Sequence, residues 1–359
     1  MKQLFLCEKP SQAKDIARVL GANQRKNGYF EGKKTMVTWC FGHLLEMAAP
    51  EDYDSQLKQW RLETLPIIPQ KWMLKVRKDA KKQYKIIVSL FKQVDVCVVA
   101  TDADREGEAI AREVMEMGSW KGPVKRLWLS ALDDKSIQQA LVKLLPGEQT
   151  ENLYKAASAR SKADWLVGMT LSRLYTLSAQ QSGYEGVMSV GRVQTPTLKL
   201  VVDRDRSIDE FIPIPYFDVF ADFQSNGQSD IFTGKWKVPD AMADCDSRCL
   251  SQLSAQAVAN KCQDKDAVVT EAMTKRVKEA APLLFALSNL QQEASKRFGM
   301  GAQAVLDCAQ SLYETHKVTS YPRTDCQYLP QSQFEAAPGI INLLHGIDEY
   351  KKIVEQTDA

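Results

Sequence analysis

Val94-Asp95-Val96-Cys97-Val98-Val99-Ala100, running into Thr101-Asp102-Ala103-Asp104-Arg105-Glu106-Gly107-Glu108, is the stretch on which the fold turns. A short β-branched run of this kind predicts a strand buried in a parallel sheet. Residues Glu108 to Met117 predict a helix, with Ile110, Val114 and Met117 on one face. The acidic run therefore lies outside the carboxyl end of a strand, where open α/β sheets place their ligands. Asp102, Asp104 and Glu106 stand two apart, so in an extended turn their carboxylates converge. Three such oxygens suit a hard divalent cation, and Mg²⁺ takes few protein carboxylates, leaving its other positions to water and phosphate. The competing reading is a solvated acidic turn.

The flanking sequence extends the same pattern. Gln3–Cys7, Val37–Cys40 and Val124–Leu129 predict further strands. Pro10 and Ser11 open a helix with Ala13, Ile16, Ala17 and Leu20 on its apolar stripe and Gly21 as its stop, and Ser136–Leu145 predicts another. Alternating strands and helices over 1–145 argue for a parallel sheet covered on both faces. From residue 151 the chain reads as a long helix, broken at Phe211-Ile-Pro-Ile-Pro-Tyr216. Residues 216–240 alternate like strands, 247–262 look helical, Ala267–Ala272 (AVVTEA) is strand-like, and Leu284–Thr315 is helical again.

Bulk properties narrow the class without choosing a function. With 359 residues, two or three domains are expected, and 44% hydrophobic against 26% charged residues excludes global disorder. A net charge of +2 says nothing about nucleic acid, but Lys71, Lys75, Arg77, Lys78, Lys81, Lys82 and Lys85 are offset only by Asp79. That run is either a solvated helix face or an edge that contacts phosphate. The eight cysteines include no Cys-x-x-Cys pair, which fits reduced thiols rather than disulfides or structural zinc. With no signal peptide and no apolar run near the roughly 20 residues that span a bilayer, a soluble cytoplasmic protein is expected.

Three further motifs carry chemistry. Glu8-Lys9-Pro10-Ser11 closes the first strand, at an edge that can lie beside the acidic turn. Ser189-Val190-Gly191-Arg192-Val193-Gln194 combines a glycine with phosphate and sugar donors, and Arg160, Trp165 and Arg173 share the helix upstream. Arginine with tryptophan makes a plausible platform for a single strand, against the plainer reading of Trp165 as core. In Thr319-Ser-Tyr-Pro-Arg-Thr-Asp325, Arg323 can hold a phosphate near the Tyr321 hydroxyl, which can act covalently when its surroundings favour it. A lone tyrosine is more often half-buried core.

Together these motifs resemble the type IA DNA topoisomerases, on the bacterial topoisomerase III branch. FLCEKPSQAKDIARVL (5–20), VTWCFGHLLE (37–46), ADWLVGM (163–169), APLLFALSNLQQEASKRFG (281–299) and LYETHKVTSYPRTDCQYLP (312–330) carry the resemblance. It implies an α/β plus α+β multidomain chain: an N-terminal Toprim domain with a Rossmann-like parallel sheet, then helical and β-rich parts of an incomplete type IA ring. The implied divisions are Toprim at 1–147, a helical single-strand-binding part at 148–212, a β-rich hinge arm at 213–280, and a gate domain at 281–359. Family members continue well past the tyrosine, so a fragment or truncated form is expected, its tail frayed and the domain that presses Tyr321 onto the acidic turn incomplete.

By resemblance Tyr321 is the nucleophile, Arg323 holds phosphate, Lys9 stabilises the leaving oxygen, and Glu8, Asp102 and Asp104 bind Mg²⁺ with Glu106 assisting. Trp60, Trp165, Arg160, Arg173 and Ser189–Gln194 line the path of the strand. The implied partner is single-stranded DNA, with a helicase as a further candidate, no membrane, no nucleotide cofactor and a monomeric state. No Gly-x-x-x-x-Gly-Lys loop occurs. Two rivals remain: a chain that binds single strands without passing one through another, and a different Toprim enzyme, a nuclease or primase.

Overall fold

The computed structural model describes residues 1–224, 230–329 and 331–355, which divide into two compact units, 1–192 with 282–359 and 193–281. The first unit opens with β1 (Gln3–Cys7), α1 (Pro10–Val19), β2 (Gln24–Lys26), β3 (Tyr29–Glu31), β4 (Thr35–Trp39) and β5 (Leu45–Met47). There follow α2 (Pro50–Tyr53), β6 (Leu74–Val76), α3 (Lys81–Phe91), β7 (Val96–Ala100), α4 (Arg105–Met117), β8 (Val124–Arg126), α5 (Asp134–Val142), β9 (Leu145–Pro146) and α6 (Glu151–Gln181). The second unit holds α7 (Gln194–Asp209), β10 (Phe220–Gln224), β11 (Ile231–Lys235) and α8 (Gln252–Cys262). The chain then returns to the first unit with α9 (Leu287–Phe298), α10 (Ala302–Ser311), α11 (Gln331–His345) and α12 (Asp348–Val354).

Seven strands form one sheet in the order β2-β3-β4-β1-β7-β8-β9. The four central strands, β4, β1, β7 and β8, run parallel, whereas β2, β3 and β9 pair antiparallel, so the sheet is mixed rather than wholly parallel. The extra edge strands come from a hairpin closed at Asn27-Gly28, a dipeptide that favours tight reversals because glycine accepts a positive φ, here +82°.

Alternation along the central strands splits the core in two. Phe5, Cys7, Val37, Val98 and Ala100 pack with Ile16 of α1 and Ile137 of α5. Leu4, Leu6, Met36, Cys97 and Val99 face Ile87 and Leu90 of α3 and Ile110 and Val114 of α4. Burying each Phe, Leu, Ile, Val and Met among them contributes about 1.5–3 kcal/mol, so the carboxyl edge of the sheet rests on a firm platform.

Two local expectations are corrected. Helix α4 begins at Arg105, not Glu108, because Asp104 caps it: its Oδ1 accepts the Gly107 N–H at 2.7 Å. Residues 267–272 form no strand; Val268 and Val269 are exposed, and among the described residues β10 and β11 pair only with each other. β-Propensity without a partner strand does not make a sheet.

Candidate active site

Register brings the ends of β1, β4 and β7 to one edge, since Cys7 pairs with both Trp39 and Ala100. Glu8 and the acidic turn therefore leave the sheet side by side. The Asp102 N–H donates to Glu8 Oε2 at 3.3 Å, and the Gln12 side chain from α1 donates to Asp102 Oδ1 at 3.1 Å. Gly107 fits beneath this turn only because it lacks a side chain: a Cβ there would sit 2.3 Å from the Asp102 carbonyl oxygen.

The turn is fastened from below by a residue the sequence reading missed. Arg126, wholly buried at the end of β8, donates to the carbonyls of Thr101 at 2.7 Å and Asp102 at 2.5 Å. Its Nε lies 2.9 Å from the equally buried Glu108 Oε1, an ion pair whose angle falls outside hydrogen-bond geometry. Glu108 also takes a hydrogen bond from Arg112 at 3.1 Å. The available signal was an arginine within the strand-like run Val124–Leu129, where a charge needs a buried partner.

Tyr321 reaches this edge from the far end of the unit. Its hydroxyl donates to Asp104 Oδ2 at 2.7 Å, and its N–H donates to the Ser130 carbonyl at 2.9 Å. The ring is buried edge-on against Tyr313, 5.6 Å between centroids, and both rings pack into the α1–α5 side of the core. Contacts within this unit seat Tyr321 at the acidic turn. The Tyr313 hydroxyl is buried and has no hydrogen-bond partner among the described residues.

The cations nearby are already paired. Lys9 Nζ lies 2.5 Å from Glu314, Arg323 lies 3.4 Å from Glu106, and Lys317 lies 2.5 Å from Asp15. Glu314 and Lys317 also escaped the sequence reading; their only signal was charge on the segment just before the tyrosine. Because Glu106 sits in the first turn of α4, its carboxylate reaches Arg323 rather than converging with Asp102 and Asp104.

Electrostatics mark the same cluster. Burial, reinforced by the Asp102 charge, pushes the Glu8 carboxyl up to about 7. Burial also raises Asp102 to about 6, with Asp104 adding to it and Lys9 opposing it. Burial, the Asp102 charge and the bond to Asp104 hold the Tyr321 hydroxyl far above an ordinary phenol. Burial alone would lower Lys9, but its bond to Glu314 together with the charges of Asp102, Glu314 and Glu8 raises it. Carboxylates that keep protons through crowding are a donor set a divalent cation can neutralise, so oxygen chemistry suits Mg²⁺ here. Asp104 is engaged at both oxygens, which leaves Glu8 and Asp102 as the more available pair. Among the described residues, the one trio of donors within 4.8 Å of one another is Asp244, Cys245 and Asp246, and Arg248 pairs with both of its carboxylates.

The expected strand-path residues fare unevenly. Trp165 is core: its Nε1 donates to the Ala48 carbonyl at 3.0 Å and its ring meets Tyr53 and Trp72 edge-on. Arg173 is buried too, donating to the Leu57 carbonyl at 2.7 Å while its guanidinium lies 5.2 Å from the ring of Trp60, which is exposed. Neither buried side chain offers a stacking face. Arg160 is exposed. Ser189 to Arg192 run beside α6, where the Val190 N–H donates to Ser172 at 2.9 Å and Arg192 pairs with Asp164 at 2.5 Å. Val193 and Gln194 open the second unit, Gln194 as the first residue of α7. The seven cations between Lys71 and Lys85 are all exposed, Lys75 bound to Asp52 and Arg77 to Asp79. No helix among the described residues is long and apolar enough to cross a membrane.

A Toprim domain model matches residues 3–132, and a DNA topoisomerase model matches residues 148–359. DNA topoisomerase 3 of Haemophilus influenzae is 43% identical over 95% of the chain and 55% of its own length. The Bacillus subtilis protein of the same name is 39% identical over 99% of the chain and 47% of its own length. Among solved structures, full-length topoisomerase I from Thermotoga maritima superposes with a TM-score of 0.63 at 25% identity, covering 96% of this chain and 52% of that one. The chain spans about half the length of the curated relatives it matches. With a Toprim sheet at one end, a tyrosine seated on its acidic turn, and relatives of this kind over nearly its whole length, the chain belongs to the type IA DNA topoisomerases, on the topoisomerase III branch.

Proposed function

We propose that the chain cleaves and rejoins single-stranded DNA through a 5′-phosphotyrosine at Tyr321, without nucleotide fuel. The observation that carries this reading is the 2.7 Å hydrogen bond from the Tyr321 hydroxyl to Asp104, spanning 217 residues of sequence. It sets a nucleophile beside a carboxylate able to take its proton, the arrangement nucleophilic catalysis needs. On attack the Tyr321 oxygen bonds to phosphorus, the phosphorus–3′-oxygen bond breaks, and the tyrosine proton moves to Asp104. The departing 3′ oxygen takes a proton from Glu8, whose raised affinity keeps one available near neutral pH.

Before attack, the phosphate must compete for the cations. Arg323 exchanges the half-exposed Glu106 for a phosphoryl oxygen, and Lys9 exchanges Glu314 for the leaving oxygen. The exposed Arg323–Glu106 pair is worth only about 0–1 kcal/mol, so that exchange costs little, whereas the part-buried Lys9–Glu314 pair yields less readily. Glu8 and Asp102, with Asp104, would hold Mg²⁺, which supplies charge neutralisation around the two ends during rejoining. Rejoining reverses the steps, because the phosphotyrosine preserves the bond energy of the cut. Trp60 and Arg160 with the 189–194 loop are the strand-path residues best exposed to meet DNA. We retain 1–147, 148–212, 213–280 and 281–359 as the functional divisions, and a monomer in the cytoplasm.

The test is a labelled oligonucleotide incubated with Mg²⁺ and then denatured. A covalent adduct is expected, and its loss in Tyr321→Phe supports the assignment; an adduct that survives the substitution overturns it. Relaxation of negatively supercoiled plasmid reports strand passage separately.

A further inference from the structure

A groove outside this machinery lies along the same sheet edge. β3 runs antiparallel to β4 with Tyr29 opposite Thr38, so the Asn27-Gly28 turn reaches the edge from which Glu8 and Asp102 emerge. Phe41, two residues beyond β4, is 59% exposed there, and the Gly42 N–H that follows donates to the Glu8 carbonyl at 3.3 Å. Arg25 and Lys26 on the hairpin and Lys82 on α3 line the groove of about 360 Å³ with Phe41 and with Asp79, whose carboxylate is paired to Arg77. None of the three cations has a carboxylate partner among the described residues, unlike Lys9, Arg323 and Lys75.

The groove is braced from beneath. Gln83, buried on α3, donates to the carbonyls of Gly28 at 3.0 Å and Trp39 at 2.8 Å, tying hairpin, β4 and helix together. A Cβ on Gly28 would meet the Gln83 side chain at 2.6 Å, so the hairpin closes onto the helix only with glycine there. Position completes the argument. Tyr321 approaches from the β7–β8 side of Glu8, where it contacts Asp104 and Ser130. Phe41 and the hairpin lie on the β4 side, beyond β1.

We infer that this groove is a second contact for single-stranded DNA, taking the stretch of strand that leaves the reaction centre on the side away from Tyr321. The inference rests on the function proposed above. Unpaired cations take the phosphates while Phe41 offers a face on which a base stacks, a combination tolerant of sequence. Such a hold keeps one flank of a cut strand near Glu8 while the other is tethered to the tyrosine.

The test uses the full chain carrying Tyr321→Phe, so that binding is read without chemistry. Fluorescence anisotropy with a labelled oligonucleotide is followed against salt, with melting curves confirming that each exposed-site variant folds. Replacing Arg25, Lys26 and Lys82 with Ala is expected to weaken binding about 10-fold or more and to reduce the salt slope by about 2. Phe41→Ala is expected to cost roughly 5- to 100-fold with little change of slope. A control triple, Lys121, Lys125 and Lys143 to Ala, should stay within about twofold, since those cations lie outside the groove. Unchanged affinity and slope in both groove variants overturns the inference, as does an equal loss in the control. Absence of the Tyr321 adduct in the unsubstituted chain would instead sink the proposed reaction, leaving the binding result to stand by itself.

Discussion

The acidic turn and the tyrosine segment meet at one hydrogen bond, yet they are held in opposite ways. The turn is built into the sheet: buried Arg126 grips two of its carbonyls, Asp104 caps α4, Gln12 ties Asp102, and Gly107 fits closely under the backbone. The tyrosine segment is irregular. The Tyr313 and Tyr321 rings, buried against the α1–α5 side of the core, one backbone bond to Ser130 and three partly exposed ion pairs seat it. The difference matches what the proposed cut and rejoining would require. In the proposed reaction one half would hold its geometry while the other lets go and returns, and only the second half is fastened in part by ion pairs that a phosphate can replace.

Breaking the rigid half should have the largest effect. Arg126→Met removes the guanidinium and leaves the buried Glu108 with Arg112 as its one remaining partner, a loss of up to about 3–5 kcal/mol, the range for deleting one member of a buried pair. Thermal unfolding should show a large drop in stability. The double variant Arg126→Met with Glu108→Leu should recover much of that stability but not the adduct, because the Thr101 and Asp102 carbonyls stay unheld. Full recovery of adduct formation in the double variant would show that the turn needs no clamp.

Loosening the detachable half should do less. Glu314→Gln deletes the charged partner of Lys9, a loss of about 1 kcal/mol for a part-buried pair still reached by solvent. It also frees Lys9 for phosphate, so oligonucleotide binding at low salt should tighten about 2- to 5-fold. Weaker binding would make Glu314 an orienting contact for Lys9 rather than its competitor.

The two halves also differed in how far they could be read from sequence. The turn was visible because a β-branched run followed by spaced carboxylates is a local pattern, and so was the strand-like alternation of 220–224 and 231–235. Where α4 begins was not, because Asp104 serves as cap and acceptor at once. The β2–β3 hairpin was overlooked although Asn27-Gly28 announces it, since three-residue strands carry almost no periodicity. Trp165 shows the reverse error: an aromatic among helix cations suggests stacking on DNA, but packing against Tyr53 and Trp72 is a long-range fact. Arg126, Glu314 and Lys317 act through partners 18 to 305 residues away, which no local pattern encodes.

The smallest effect should come from a pair on the rim between the halves. His43, just past Phe41, takes its position beside Glu113 of α4 at 3.3 Å, and that bond raises its proton affinity despite partial burial. A histidine whose folded value lies above its unfolded value of about 6.5 stabilises the fold most below that value. The contribution then fades as pH rises through the higher folded value. Because the ring is over a third exposed, solvent screening keeps the gain under about 1 kcal/mol. Melting temperatures of the chain and of His43→Gln should therefore differ most near pH 5.5 and converge by pH 8.5 or so, on the scale set by the free imidazole. A gap that widens with pH instead would mean His43 is held as the neutral ring, and that Glu113 is not what fixes it to the rim.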